Sequence, residues 1–143
     1  MGQSTYSFES LFTTITHPAM GQFSVQGAGT GSITFTMAND TSAHDVAADG
    51  SVMTSKVKTN NGTVAIVAQQ TSELHAWLLR LHNYLVTAPA REWAQISLMA
   101  NSPDMRVNHV GSYMSIQKRG DKPYQQQGQQ VTWNLLAGDL TER

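Results

Sequence analysis

ITFTMANDTSAHDVAADGSVMTSKVKTNNGTVAIVAQQ, residues 33–70, decides the fold. Ile33, Phe35 and Met37 alternate with Thr34, Thr36 and Ala38. Farther on, Val64, Ile66 and Ala68 alternate with Thr63, Ala65 and Val67. A period of two sends successive side chains to opposite faces, so both ends of the stretch are strands. Asp49-Gly50 between them is a hairpin signal, because tight hairpin turns need positive φ and these residues tolerate it. Val46, Ala47, Ala48, Val52 and Met53 flank the turn. The pattern predicts a long two-stranded arm, about residues 38–57, with a partly apolar tip. Asn61-Gly62 is a second hairpin signal, which makes residues 53–58 the middle strand of a meander, paired also with residues 64–68. A lone two-stranded ribbon is marginal in water. The arm therefore needs its own core or another subunit to lie against.

The rest of the chain supplies more strands and one helix. Residues 6–16 read as a strand with a β-bulge near Ser10, closed by His17-Pro18, since proline cannot donate to a ladder. Phe23 and Val25 mark a short second strand. Residues 71–87 are the one convincing helix: Leu74, Trp77, Leu78, Leu81 and Leu85 recur at helical spacing and form its core face. Thr71 or Ser72 caps it, Glu73 complements its dipole, and Pro89 stops it. Strands resume through Ile96, Leu98 and Ala100, then residues 107–117 with Gly111 as a bulge or kink. Residues 118–130, KRGDKPYQQQGQQ, read as an exposed loop. Val131, Trp133 and Leu135 alternate with Thr132, Asn134 and Leu136 in a last strand, and residues 138–143 read as a polar tail. The fold class is mainly β, a β-sandwich or half-barrel of seven to nine strands with one packed helix of about 72–87, in a single domain spanning 1–143.

Composition narrows the function classes. The chain has 143 residues, no cysteine and a formal net charge of −1. Without cysteine, disulfides, thiolate catalysis and cysteine-ligated zinc are excluded. A net charge near zero gives no electrostatic case for nucleic-acid binding. The N-terminus lacks the basic and apolar segments of a signal peptide, and no apolar run reaches a membrane-spanning length, so a cytoplasmically made protein outside the membrane is expected. Charged residues make up 13% of the chain, against about 25% in an average soluble domain. Ser, Thr, Asn and Gln carry the polar load instead, as expected where neighbouring copies cover much of the surface.

No constellation here carries chemistry. Asp40, Asp45 and Asp49 cluster with His44 in the arm but lack the spacing of a calcium loop. His75 and His82 are seven residues apart rather than the four that suits a metal pair on a helix, and they read as two exposed histidines. Gly27, Gly29 and Gly31 have no Lys-Ser/Thr partner and precede a strand, so they read as a turn or a close backbone approach rather than a phosphate loop. Trp93 and Trp133 read as core residues, or otherwise as the stacking platform of a monomeric carbohydrate-binding module. No enzyme, metal or cofactor is expected.

TYSFESLFTTITHP, residues 5–18, and GQFSVQGAGTGSITFTMANDTSAHDVAADGSVMTS, residues 21–55, together resemble a family of small structural proteins of contractile-tailed phages and prophages. The likeness lies in Tyr6-Ser7-Phe8, the strand end at Pro18, the Gly-rich link and the Ile33-Thr34-Phe35 strand. It continues in Asp49-Gly50 with Met53 after it and in the Thr71-Ser72 cap, and it extends more weakly through Trp93 and Trp133. The resemblance implies a tail tube protein: hexameric rings stacked into a hollow tube, with DNA passing through the lumen without specific binding. It implies sheath, tape-measure and baseplate proteins as partners and the virion tail as location. In that setting residues 46–50, 52 and 53 (Val46, Ala47, Ala48, Asp49, Gly50, Val52, Met53) are expected to contact an adjacent ring or subunit. Thr34 and Thr36 are expected to face the lumen. A secretion-tube subunit of a bacterial contractile machine is the related alternative.

Overall fold

Alternating apolar residues on strand after strand make one long antiparallel sheet curled about one helix. The computed structural model describes residues 5–25 and 29–143; Gly27 lies outside them. Among the described residues the strands are β1 (Phe12–His17), β2 (Gly21–Ser24), β3 (Thr30–Met37), β4 (Ser42–Val46), β5 (Val52–Lys56) and β6 (Gly62–Gln69). Helix α1 (Glu73–Thr87) follows, then β7 (Ile96–Ser102), β8 (Val107–Lys118) and β9 (Gln130–Glu142). Seven strands join in the order β2-β1-β7-β8-β9-β6-β3, every pairing antiparallel. They form a curled half-barrel. Strands β4 and β5 pair only with each other.

The core is the sheet face toward α1. Register sets Phe35, Val64, Leu135 and Ile116 in one row and Ile33, Ile66 and Trp133 in the next. Leu74, Leu78, Leu81 and Leu85 of α1 are almost fully buried against this face. Burial of such a side chain is worth about 1.5–3 kcal/mol, which is how an amphipathic helix is held to a sheet. The Ser72 side chain accepts the His75 N–H and caps the helix, and Pro89 follows its end. Beyond it, Tyr84 donates to the Glu92 carboxylate, while the His17 imidazole bonds the Glu92 carbonyl at 3.0 Å. These contacts fix the helix exit against the end of β1.

Several elements differ from the pattern of the sequence. The first strand does not run from residue 6. A 3-10 turn occupies Phe8–Ser10, because the Ser10 hydroxyl donates to the Ser7 carbonyl and sits 3.1 Å from Ser102 Oγ. Residues 53–58 are not the middle of a meander: β6 is flanked by β3 and β9, and the β4–β5 hairpin projects from between β3 and β6. Gly62 is therefore not in a turn. A Cβ there would lie 2.5 Å from the Thr36 carbonyl, so the small residue lets β3 and β6 approach. The expected polar tail is strand as far as Glu142, paired along the first half of β8. Near Gly111, β8 does bulge, with Tyr113 at φ 51°. Gly29 makes the expected close approach: its φ is +82° and a Cβ would meet Ser72.

The histidines depart most from expectation. His75 is 4% exposed, and its Nδ1 accepts the indole N–H of fully buried Trp133 at 3.0 Å. His82 is half-buried and meets the rings of Trp93 and Trp133 edge-on. Burial, then the Lys122 ammonium, holds His75 below the ordinary 6.5 of an imidazole. Burial, then Arg119, lowers His82 as well. Helical periodicity sets both on one stripe but cannot reveal that the loop of residues 118–130 and the start of β9 close over it.

Two outcomes follow for stability. Leu81→Ala should lower the unfolding free energy by about 2–5 kcal/mol in urea titrations, the range for truncating a buried leucine. Because folding depresses both histidine pKa values, their contribution is intact above the unfolded value of about 6.5. It is lost as pH falls from there through the folded values. The urea midpoint should drop on acidification below about pH 6.5, and His75→Gln should flatten that slope, leaving the part owed to His82.

Candidate functional site: an exposed arm and an uncharged sheet face

Every residue from 36 to 58 is exposed. The arm is a regular hairpin all the same, with Val46 opposite Val52, Asp45 opposite Met53 and His44 opposite Thr54. Its tip is closed by Gly50 N–H to Ala47 O at 2.9 Å and Ala47 N–H to Ser51 O at 2.8 Å. Only Gly50 takes positive φ, +89°; Asp49 does not. The turn is thus a hydrogen-bonded turn over residues 47–50 ending in a left-handed glycine, rather than one with two left-handed residues. Asp49 Oδ1 accepts the Ser51 N–H at 2.9 Å, which holds its carboxyl below the ordinary 3.8. The base of the arm is tied by Val57 N–H to Thr41 O, Ala38 N–H to Asn61 O and the Asn39–Asn61 amide pair.

No described residue covers the arm's apolar side chains. Val46 is 64% exposed, Met53 61% and Val52 55%. Val46 and Val52 are opposed and share one face of the ribbon, whereas Met53, opposite Asp45, lies on the other, so both faces near the tip carry an uncovered apolar side chain.

The second surface is the sheet face turned away from α1. Thr34 and Thr36 lie on it and are exposed, opposite Ala65 and Thr63 of β6. Thr132 and Asn134 continue it on β9, with Thr14 and Thr16 on β1. Of the seven strands only β8, with Lys118, and β9, with Asp139 and Glu142, carry an Asp, Glu, Lys or Arg. The face is consequently almost free of formal charge, its hydroxyls and amides interspersed with exposed Phe12, Met99 and Leu136. Strands β2 and β3 end the sheet with open edges among the described residues. Unpaired edge N–H and C=O groups are templates for another strand.

Other candidate groupings disperse or close. No group of three His, Asp or Glu among the described residues could hold a metal. Trp133 is fully buried and offers no ring to a sugar, while Trp93, 38% exposed, packs edge-on against His82. No helix among the described residues is long and apolar enough to cross a membrane.

The comparisons fall in line with this geometry. The family described as "Bacteriophage PhiTE tail tube protein" matches residues 3–143. No curated protein matches the sequence. Among solved structures, the anti-feeding prophage cap, a tube-terminating cap, aligns with a TM-score of 0.65 at 9% identity, covering 100% of this chain and 93% of that one. The sheath/tube terminator of PVC, an extracellular contractile injection system, aligns at 0.66 and 6%, covering 100% and 99%. A chain of the anti-feeding prophage baseplate aligns at 0.64 and 12%, covering 100% and 97%. At such identities these likenesses establish a shared fold.

An arm that packs on nothing should be dispensable for folding. Changing Val46, Val52 and Met53 to serine should each alter the stability of the unassembled protein by less than about 0.5 kcal/mol, as for ordinary surface sites. Chemical denaturation of the three variants checks this.

Proposed function

The chain belongs to the bacteriophage PhiTE tail tube protein family and is a tail-tube-type structural protein, and from that premise we propose that it is the repeating subunit of a hollow tail tube. Six copies form a ring and rings stack head to tail. Heterologous contacts that do not close between rings generate a filament rather than a finite oligomer. The observation that carries this reading is the arm, a folded hairpin exposed along its whole length with Val46, Val52 and Met53 uncovered. Residues 46–50, 52 and 53 contact the adjacent ring, where burial of the three apolar side chains offsets the cost of ordering the arm.

Within a ring, the open edge of β3 meets an edge of a neighbouring copy, so that six curled sheets continue around one barrel. Closure removes edges that a monomer would leave exposed. Thr34 and Thr36, with the rest of the low-charge face, line the lumen. A wall almost free of formal charge suits DNA passage, because clustered Lys and Arg would hold phosphates. Helix α1 then lies on the outside, toward a contractile sheath, and the tube meets tape-measure and baseplate proteins within the virion. Its role there is architectural and involves no catalysis.

The likeness to cap, terminator and baseplate chains of injection systems favours one second reading, a secretion-tube subunit of a bacterial contractile machine. Genes beside this one distinguish the two: capsid and packaging genes accompany a phage tail, whereas an injection particle lacks them.

Negative-stain electron microscopy of the purified protein should show sixfold rings or hollow tubes. Deleting residues 47–52 should abolish stacking while a cooperative unfolding transition is retained. Monodisperse monomers over a wide concentration range would overturn the reading.

A further inference from the structure

Charge is distributed very unevenly along this chain. Residues 1–55 contain no Lys or Arg, and their acids include Asp40, Asp45 and Asp49 on the arm. Three of the nine basic residues, Lys118, Arg119 and Lys122, fall within five positions at the start of the exposed loop, with Asp121 as the one acid among them. Among the described residues no carboxylate comes within ion-pair distance of Arg119 or Lys122, whereas His109 meets Glu142 at 3.6 Å.

The loop is not simply solvated. It stands over α1 and borders a half-open cavity of about 490 Å³ lined by His75, Leu79, Arg119, Gly120, Asp121, Lys122 and Tyr124. The Lys122 ammonium is held 5.8 Å from the Tyr124 ring centre. The loop is anchored by Gln70, whose amide donates to Pro123 O at 2.7 Å and accepts Gln129 N–H at 3.3 Å. His75 forms part of the cavity wall. Its Nδ1 accepts the Trp133 N–H, so on the neutral ring the proton sits on Nε2. That Nε2 is buried and has no hydrogen-bond partner. Around this cavity a guanidinium and an ammonium outnumber the single Asp121 carboxylate, which leaves an excess positive charge complementary to an added carboxylate.

We propose that this cavity is an anion site that receives the arm of a second copy, with Asp49 at the tip and Asp45 behind it as the entering carboxylates. Charge complementarity identifies the occupant. The arm is acidic, fully exposed and free of Lys and Arg up to Lys56, whereas the cavity rim carries two cations without carboxylate partners. The apolar tip residues bring the arm to the neighbour, and the carboxylates fix where along the neighbour it lands. Rim charges of this kind set register and salt sensitivity more than bulk affinity. The inference rests on the proposed role of the arm as the contact between copies.

Charge exchange in the full-length protein tests it. Arg119→Glu with Lys122→Glu should raise the concentration required for tube formation by about tenfold or more, because it sets like charges against Asp45 and Asp49. Adding Asp45→Lys and Asp49→Lys to that variant should restore assembly toward the wild-type value. Both loop residues are exposed, so an unchanged circular dichroism spectrum and unfolding midpoint are expected for every variant. Wild-type tubes with an equally competent Arg119→Glu/Lys122→Glu variant would overturn the inference and leave the tube reading standing. Loss of assembly that the arm substitutions do not repair would also overturn it, by excluding the arm as occupant. A wild-type protein that never leaves the monomeric state would remove the tube reading and this inference together.

Discussion

A two-stranded ribbon cannot bury both of its faces, and the organisation of this protein follows from that constraint. The β4–β5 hairpin satisfies its backbone internally through five opposed residue pairs and a hydrogen-bonded tip. Its side chains have no such internal solution. A monomer gains nothing from an exposed ribbon of this length with apolar side chains at its tip. Here it is long, and its tip carries valine and methionine. The same logic applies at lower intensity to the open edges of β2 and β3. These unfinished surfaces are at the periphery, whereas the centre of the molecule is complete.

That centre is held by the helix–sheet contact. Trp133 is the largest fully buried side chain and reaches α1 through both its indole N–H and its ring faces. A buried indole N–H without an acceptor would cost about 1–3 kcal/mol, so the histidine at position 75 is as much a part of the core as the leucines around it. The price of this arrangement is a second ring nitrogen left without a partner, directly beneath the basic loop. Core and surface chemistry meet at that one side chain.

Much of the fold was legible in the sequence because period-two alternation survives wherever one face of a strand is buried. Ile33–Phe35, Val64–Ile66–Ala68 and Val131–Trp133–Leu135 identify their strands and their inward faces without reference to topology. The helix is as clear, since Leu74, Leu78, Leu81 and Leu85 recur at its period. Pairing was less legible. Asn61-Gly62 looks like a hairpin turn, yet Gly62 is small because Thr36 and Leu140 crowd it. The end of β9 is polar on its exposed side and so resembles a tail. For the assembly surfaces, the exposure of Val46, Val52 and Met53 follows from their place on an arm, but the cavity above His75 depends on two segments 45 residues or so apart meeting in space. No local pattern records such a meeting.

The central claim is that the arm is completed by another copy of the chain. Amide hydrogen exchange on the arm, compared between unassembled and assembled protein, tests this most directly. The account predicts fast exchange of the arm amides before assembly and strong slowing on assembly, concentrated at residues 45–53. Arm amides that exchange equally fast in tubes and in free subunits would contradict it.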